Sequence, residues 1–160
     1  MKITLVARDP ALARAWRATF DEVADVQVVE GDYFDHPADA MVSPANSFGI
    51  MDGGLDLAIR DQLGLGVQTT LQRAIVERHH GELPIGCAEI VETGDPRWRY
   101  LVAAPTMRIP ESVAQSLNAY LAFRAVLLAC AKHPITSLVC CGLATGIGRM
   151  EPTRCAAQMR

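Results

Sequence analysis

The feature that most constrains this chain is the alternation of short, unbroken apolar runs with longer helix-like ones. Ile3 to Ala7, Val26 to Val29, Ala38 to Val42, Ala88 to Val91, Tyr100 to Ala104 and Ser137 to Cys141 read as strands. Pro10 to Phe20, Gly53 to Leu63, Val67 to His80, Leu117 to Lys132 and Thr153 to Arg160 read as helices. Asp9 is a candidate N-cap with Pro10 at the first helical position. Leu55, Ile59 and Leu63 recur at helical spacing, and Gly81 and Pro84 stop the helix before them. Strands that are apolar throughout are buried on both faces, the habit of a parallel or mixed sheet covered by helices. The expected fold is a three-layer α/β/α sandwich with a mixed, mostly parallel central sheet. The last helix, ending at Arg160 without a cap, reads as cut short.

The 160 residues carry no repeat, low-complexity tract or dividing linker, so one domain over residues 1–160 is expected. Fifteen basic and eighteen acidic residues leave a net charge of -3, which disfavours bulk nucleic-acid binding. A membrane span needs about 20 apolar residues. The best candidate, Ala119 to Ala131, is shorter and contains Arg124. The apolar stretch between Lys2 and Arg8 is too short for a signal peptide. Five irregularly spaced cysteines do not form a disulfide framework, and a reduced, cytoplasmic protein is expected. Cys140 and Cys141 are adjacent and so face opposite layers, and His36, His79, His80 and His133 form no ligand pattern. No metal site is expected. His79 and His80 read as an exposed pair at a helix C-terminus. Trp98 and Tyr100, interleaved with Arg97 and Arg99, read as an edge strand or interface.

Two loops carry the chemical signal. In the first, a buried strand ends, a polar stretch with Asn46 and Ser47 follows, and Gly53-Gly54 precedes a helix. In the second, Cys141-Gly-Leu-Ala-Thr-Gly-Ile-Gly-Arg149 again lies between an apolar strand and a helix. Loops at the carboxyl ends of α/β strands hold ligands, and glycine-rich backbone beside a helix start offers N–H groups to an anion. The pair reads as two jaws around one phosphate-bearing ligand, held by backbone dipoles rather than a basic surface. The alternative for the first loop is a turn that needs its glycines only for positive φ. Neither loop is a triphosphate or dinucleotide fingerprint.

These residues resemble the macro domain family. The elements are Gly31-Asp32-Tyr33, then Val42-Ser-Pro-Ala-Asn46-Ser47, then Gly53-Gly54-Leu55-Asp56-Leu57-Ala58-Ile59, then Gly142-Leu143-Ala144-Thr145-Gly146. They occur in the family's order, in what resembles a divergent bacterial or phage-like branch. The departures are Ser43 and Pro44 in place of the family's first Asn and its neighbour, Met51 and Asp52 in place of two glycines, and Ile147-Gly148-Arg149 where an aromatic commonly caps the distal ribose.

The resemblance implies a site for ADP-ribose, free or on a protein or metabolite, with no cofactor and no metal. It implies that Asp32 and Tyr33 meet the adenosine end. It implies that Ala45, Ser47, Gly53, Gly54 and Leu55, with Gly142, Ala144, Thr145, Gly146, Ile147 and Gly148, hold the diphosphate and distal ribose. Asn46 and Asp56 are the implied catalytic pair, Asn46 positioning the distal ribose and Asp56 handling water. The implied reaction is hydrolysis of a mono-ADP-ribosyl linkage or of the acetyl ester of O-acetyl-ADP-ribose. A non-catalytic ADP-ribose-binding module and a hydrolase or phosphatase of another nucleotide diphosphate derivative are the alternatives. Asn46 also fits an Asx-type turn, Asp32 a turn cap, and Asp56 a first-turn acid favoured by the helix dipole. Arg108 reads as a loop arginine paired with Glu111, the alternative being a bidentate contact to a phosphate or a further substrate group.

Overall fold

The computed structural model describes residues 1–160. Six strands form one sheet: β1 (Lys2–Ala7), β2 (Val26–Glu30), β3 (Ala40–Ser43), β4 (Glu89–Asp95), β5 (Trp98–Ala103) and β6 (Ser137–Cys140). Their order is β2-β1-β6-β3-β5-β4, parallel except for the β4–β5 hairpin. Five helices complete the chain: α1 (Pro10–Phe20), α2 (Gly54–Leu63), α3 (Leu65–His79), α4 (Asn118–Cys130) and α5 (Pro152–Met159). α1, α5 and α4 pack side by side, while α2 and α3 pack together beside β3 and β4. This is the sandwich that the apolar runs predict.

Burial follows the sheet order. All of β3 and nearly all of β5 and β6 are buried, whereas no residue of the edge strand β2 is fully buried. α1 begins as its sequence predicts, with the Asp9 carboxylate accepting from Ala11 N–H at 2.8 Å and Pro10 at the first position. Its Leu12, Trp16 and Phe20 recur at i, i+4, i+8 and are all buried. Full burial of each such side chain is worth roughly 1.5–3 kcal/mol before entropy is counted.

Element boundaries differ from the sequence reading where long-range partners act. β3 begins at Ala40 rather than Ala38, because Asp39 N–H donates to the Ser137 hydroxyl at 2.8 Å rather than to a strand carbonyl. The α2–α3 break is Gly64, at φ +88°, and α3 therefore starts at Leu65. Trp98 and Tyr100 do not lie on an edge. β5 runs between β3 and β4, Trp98 is fully buried, and its indole donates to His36 O at 2.9 Å. Arg97 lies over the Trp98 ring at 4.4 Å and Arg99 over Tyr100 at 5.1 Å, so both arginines shield aromatic faces. His79 is not a free surface residue either, since its Nε2 lies 2.9 Å from the buried Glu89 carboxylate, which also pairs with Arg78.

The cysteines are all thiols. Cys87 is exposed, and Cys130, Cys140, Cys141 and Cys155 are buried. Burial pushes the Cys130 and Cys155 thiols up to about 11 and about 12, and raises Cys140 and Cys141 as well.

Candidate functional site

The carboxyl ends of the five parallel strands β2, β1, β6, β3 and β5 open onto one cavity of about 390 Å³. Each contributes residues that follow it: Arg8 and Asp9 after β1, Gly31, Tyr33 and Phe34 after β2, Pro44 to Asn46 after β3, Thr106 and Met107 after β5, and Cys141, Gly142 and Ala144 to Gly148 after β6. The cavity exists because β3 and β6 part company. They pair only at Ala40–Leu138 and Met41–Val139. Beyond that point the buried Tyr33 hydroxyl fills the gap, accepting from Val42 N–H at 2.9 Å and lying 2.8 and 2.9 Å from the Val42 and Val139 carbonyls. Tyr33 thus lines the cavity floor and joins two strands, and burial raises its phenol well above 10.

The first loop, residues 44–53, is zipped onto the segment after β5. Thr106 N–H donates to Ala45 O at 3.1 Å, Thr106 Oγ1 to Pro44 O at 3.0 Å, and Ser47 N–H to Arg108 O at 3.2 Å. Asn46 holds the loop closed. Its Oδ1 accepts from Phe48 and Ile50 N–H, and its Nδ2 donates to Ile50 O at 2.7 Å. Met51 is buried rather than in the channel, while the exposed Asp52 stands on the cavity wall. Gly54, at φ +56°, makes the bend into α2. The first-turn N–H groups of α2 lack helical acceptors, as at any helix start.

Asp56 sits in that first turn and lines the cavity. The Ser43 hydroxyl, at the end of β3, donates to its Oδ1 at 2.6 Å. Burial pushes the Asp56 carboxyl up to about 6, the Ser43 hydrogen bond opposes that rise, and the charge of Asp52 adds to it. A carboxyl poised near 6 is half-way between acid and base close to neutral pH.

The second loop is built by close backbone approach. Ala144 and Arg149 take positive φ of 62° and 54°, and Met150 N–H donates to Ala144 O at 3.0 Å. A Cβ on Gly148 would stand 2.4 Å from Ala144 O, and one on Gly142 would stand 2.5 Å from Leu12 Cδ2. The N–H groups of Gly146, Ile147 and Gly148 donate to no protein acceptor. All three residues line the cavity, so their backbone offers an anion-binding concavity.

Of the residues singled out in the sequence, the cavity brings together Tyr33, Ala45, Asn46, Gly53, Gly54, Leu55, Asp56, Gly142, Ala144, Thr145, Gly146, Ile147 and Gly148. Two stand apart. Ser47 is buried beneath the first loop, its carbonyl accepting from Leu83 N–H at 2.8 Å. Asp32 stands beside the lining rather than in it. Its Oδ1 accepts from Phe34 N–H at 3.0 Å and its Oδ2 pairs with Arg8, and these two contacts, Phe34 first, hold its carboxyl below the usual carboxylate range. Arg108 pairs with Glu82 rather than Glu111, through Nε at 2.9 Å and Nη2 at 3.0 Å, and lies over Phe48 at 5.1 Å. Sequence reasoning missed Arg8, the one basic residue on the cavity lining, together with Phe34 and the Thr106–Pro110 wall.

Residues 42–159 match the Macro domain family, and the chain belongs to that family. It is 31% identical over 124 residues to a protein of Aquifex aeolicus, covering 78% of this chain and 72% of that one. It is 29% identical over 128 residues to a protein of Aeropyrum pernix, of which it spans 65%. Among solved structures, it superposes on the macrodomain of Mycobacterium tuberculosis DarG with a TM-score of 0.71 at 19% identity, over 82% of this chain and 84% of that one. The Oceanobacillus iheyensis macrodomain with ADP gives 0.68 at 20% identity, over 81% and 70%. Thermosipho africanus DarTG in complex with ADP-ribose gives 0.69 at 16% identity, over 98% of this chain and 49% of that one. At these identities the structural likeness establishes the fold.

Proposed function

We propose that this chain binds ADP-ribose in the cavity and hydrolyses a mono-ADP-ribosyl linkage or the acetyl ester of O-acetyl-ADP-ribose. The observation that carries the proposal is the conjunction on one cavity lining of unpaired backbone donors and the Asp56 carboxyl. Backbone N–H groups of the second loop and of the α2 start hold the diphosphate, and Asp32 with Phe34 receives the adenine. Above a pH of about 6 the Asp56 carboxylate accepts a proton from a water that attacks the distal anomeric carbon or the ester carbonyl. The departing group leaves with a proton. The ligands in the Oceanobacillus and Thermosipho structures support the nucleotide assignment. In this reading residues 1–160 form one domain, working in the cytoplasm on an ADP-ribosylated protein or metabolite.

A binding-only role has a specific observation in its favour. The Asn46 amide is tied to Phe48 and Ile50, which leaves one amide N–H for a ribose hydroxyl. Calorimetric titration with ADP-ribose, with AMP and ADP as controls, tests the site. Saturable binding that depends on the distal ribose is expected, followed by release of ADP-ribose from mono-ADP-ribosylated protein. Binding without release leaves the binding module. Absence of heat at millimolar ADP-ribose overturns the proposal.

A further inference from the structure

We infer that the mouth of the cavity takes a neutral, apolar group joined to the distal ribose, and so selects ligands by what the ADP-ribosyl group is attached to. This rests on the ADP-ribose reading above.

Two exposed isoleucines line the cavity, Ile50 at 42% exposure and Ile147 at 52%, and a third, Ile109 at 49%, directly precedes the lining residue Pro110. They arrive from three different segments. Ile50 lies in the first loop and Ile147 in the second, and both line the cavity. Ile109 belongs to the segment after β5, which runs from one loop to the other. At its start Met107 bridges to Asn46 and Arg108 O accepts from Ser47 N–H. At its far end Val113 N–H donates to Gly148 O at 2.9 Å. Ile109 and the cavity-lining Pro110 are therefore held between the two loops.

The position of this rim gives it a role. Both backbone polar groups of Ile50 are fastened to the Asn46 amide. Asn46 and Asp56 flank the distal ribose in the proposed complex, so a group attached to that ribose leaves the cavity past Ile50, Pro110 and Ile147. Exposed apolar side chains gathered at a cavity edge mark a contact surface. Asp52, exposed on the same wall, opposes a negatively charged group there.

The test uses the full chain and three ADP-ribose glycosides of one anomer, carrying methyl, benzyl or carboxymethyl at the distal anomeric oxygen. Benzyl is expected to bind about tenfold more tightly than methyl, as burial of a ring against such a rim allows. Carboxymethyl is expected to bind more weakly than methyl. Ile109→Ser, and then Ile50→Ser with Ile109→Ser, should bring the benzyl-to-methyl ratio toward one. The ratio is read within each variant, so a general weakening of the site cancels. A native ratio of one or less, a ratio unmoved by the double variant, or rejection of every glycoside by a chain that binds free ADP-ribose overturns the inference alone. Failure to bind free ADP-ribose overturns the underlying reading, and the inference with it.

Discussion

The two loops that wall the cavity solve the same problem with a different balance of means. The first adds side chains to its backbone bonds: Asn46 ties Phe48 and Ile50, and Thr106 Oγ1 ties Pro44. Where it turns into α2 its glycines have room, since a Cβ on Gly53 or Gly54 meets nothing within 4 Å, whereas one on Gly49, at φ +63°, would stand 2.9 Å from Ile75 Cδ1. The second leans more on close packing, since a Cβ on Gly148 would meet the Ala144 carbonyl and one on Gly142 would meet the Leu12 and Thr145 side chains. The first loop also brings charge, in Asp52 and the neighbouring Asp56, while the second brings unpaired N–H groups. A cavity that must both hold an anion and activate water thus separates the two tasks. Donors sit where packing fixes the backbone, and carboxylates sit where hydrogen bonds can tune them.

The contrast can be broken most sharply at Gly148. Gly148→Ala places a methyl group against a backbone carbonyl, and the second loop must deform. We expect ADP-ribose affinity to fall at least 100-fold and denaturant unfolding to show a loss of about 2–3 kcal/mol. Next in size is Asp56→Asn, which should lower turnover by about 10²–10⁴ while leaving ADP-ribose binding within a few-fold. The same variant should gain stability at neutral pH. The native carboxyl, at about 6 against an ordinary 3.8, keeps its proton in the folded state after the unfolded chain has released it. Native stability therefore falls as pH rises from about 4 to about 6, by on the order of 2–3 kcal/mol, and Asp56→Asn should flatten that slope. Urea titrations at pH 4 and 8 read the difference.

Smaller effects sharpen the picture. Asp52→Asn removes a charge from the diphosphate channel and from beside Asp56. It should tighten ADP-ribose binding by about three- to tenfold at low salt, less at high salt, and shift the acid limb of turnover to lower pH. The smallest change is Gly146→Ala, in the same loop as Gly148 but facing open space at ordinary φ. It should raise stability by about 0.5 kcal/mol, and destabilisation there would show that crowding within the second loop is not confined to Gly142 and Gly148.

Local chemistry made much of this legible. Asp9-Pro10 started α1, the apolar runs marked the strands, and two glycine stretches at strand ends located the cavity. What stayed hidden depends on distance along the chain. Arg8 reaches Asp32 across 24 residues, and Arg108 reaches Glu82 across 26, so no spacing rule announces either pair. The Thr106–Pro110 wall has no periodicity, because its backbone bonds go to another loop rather than to itself. Trp98 and Tyr100 escape a local reading for a similar reason. Their arginine neighbours suggest a surface, but the strand order, which only long-range pairing decides, puts them inside.

The distribution of thiols gives the molecule a built-in reporter of its own integrity. Cys87 is open to solvent, while the other four are enclosed, with their ionisation suppressed by that enclosure. A maleimide should therefore add one label to the native protein, and further labels should appear only as rapidly as the interior opens. Cys141 sits on the cavity lining. Its rate of modification should slow when a ligand occupies the cavity, so one mass spectrum would follow unfolding and occupancy together.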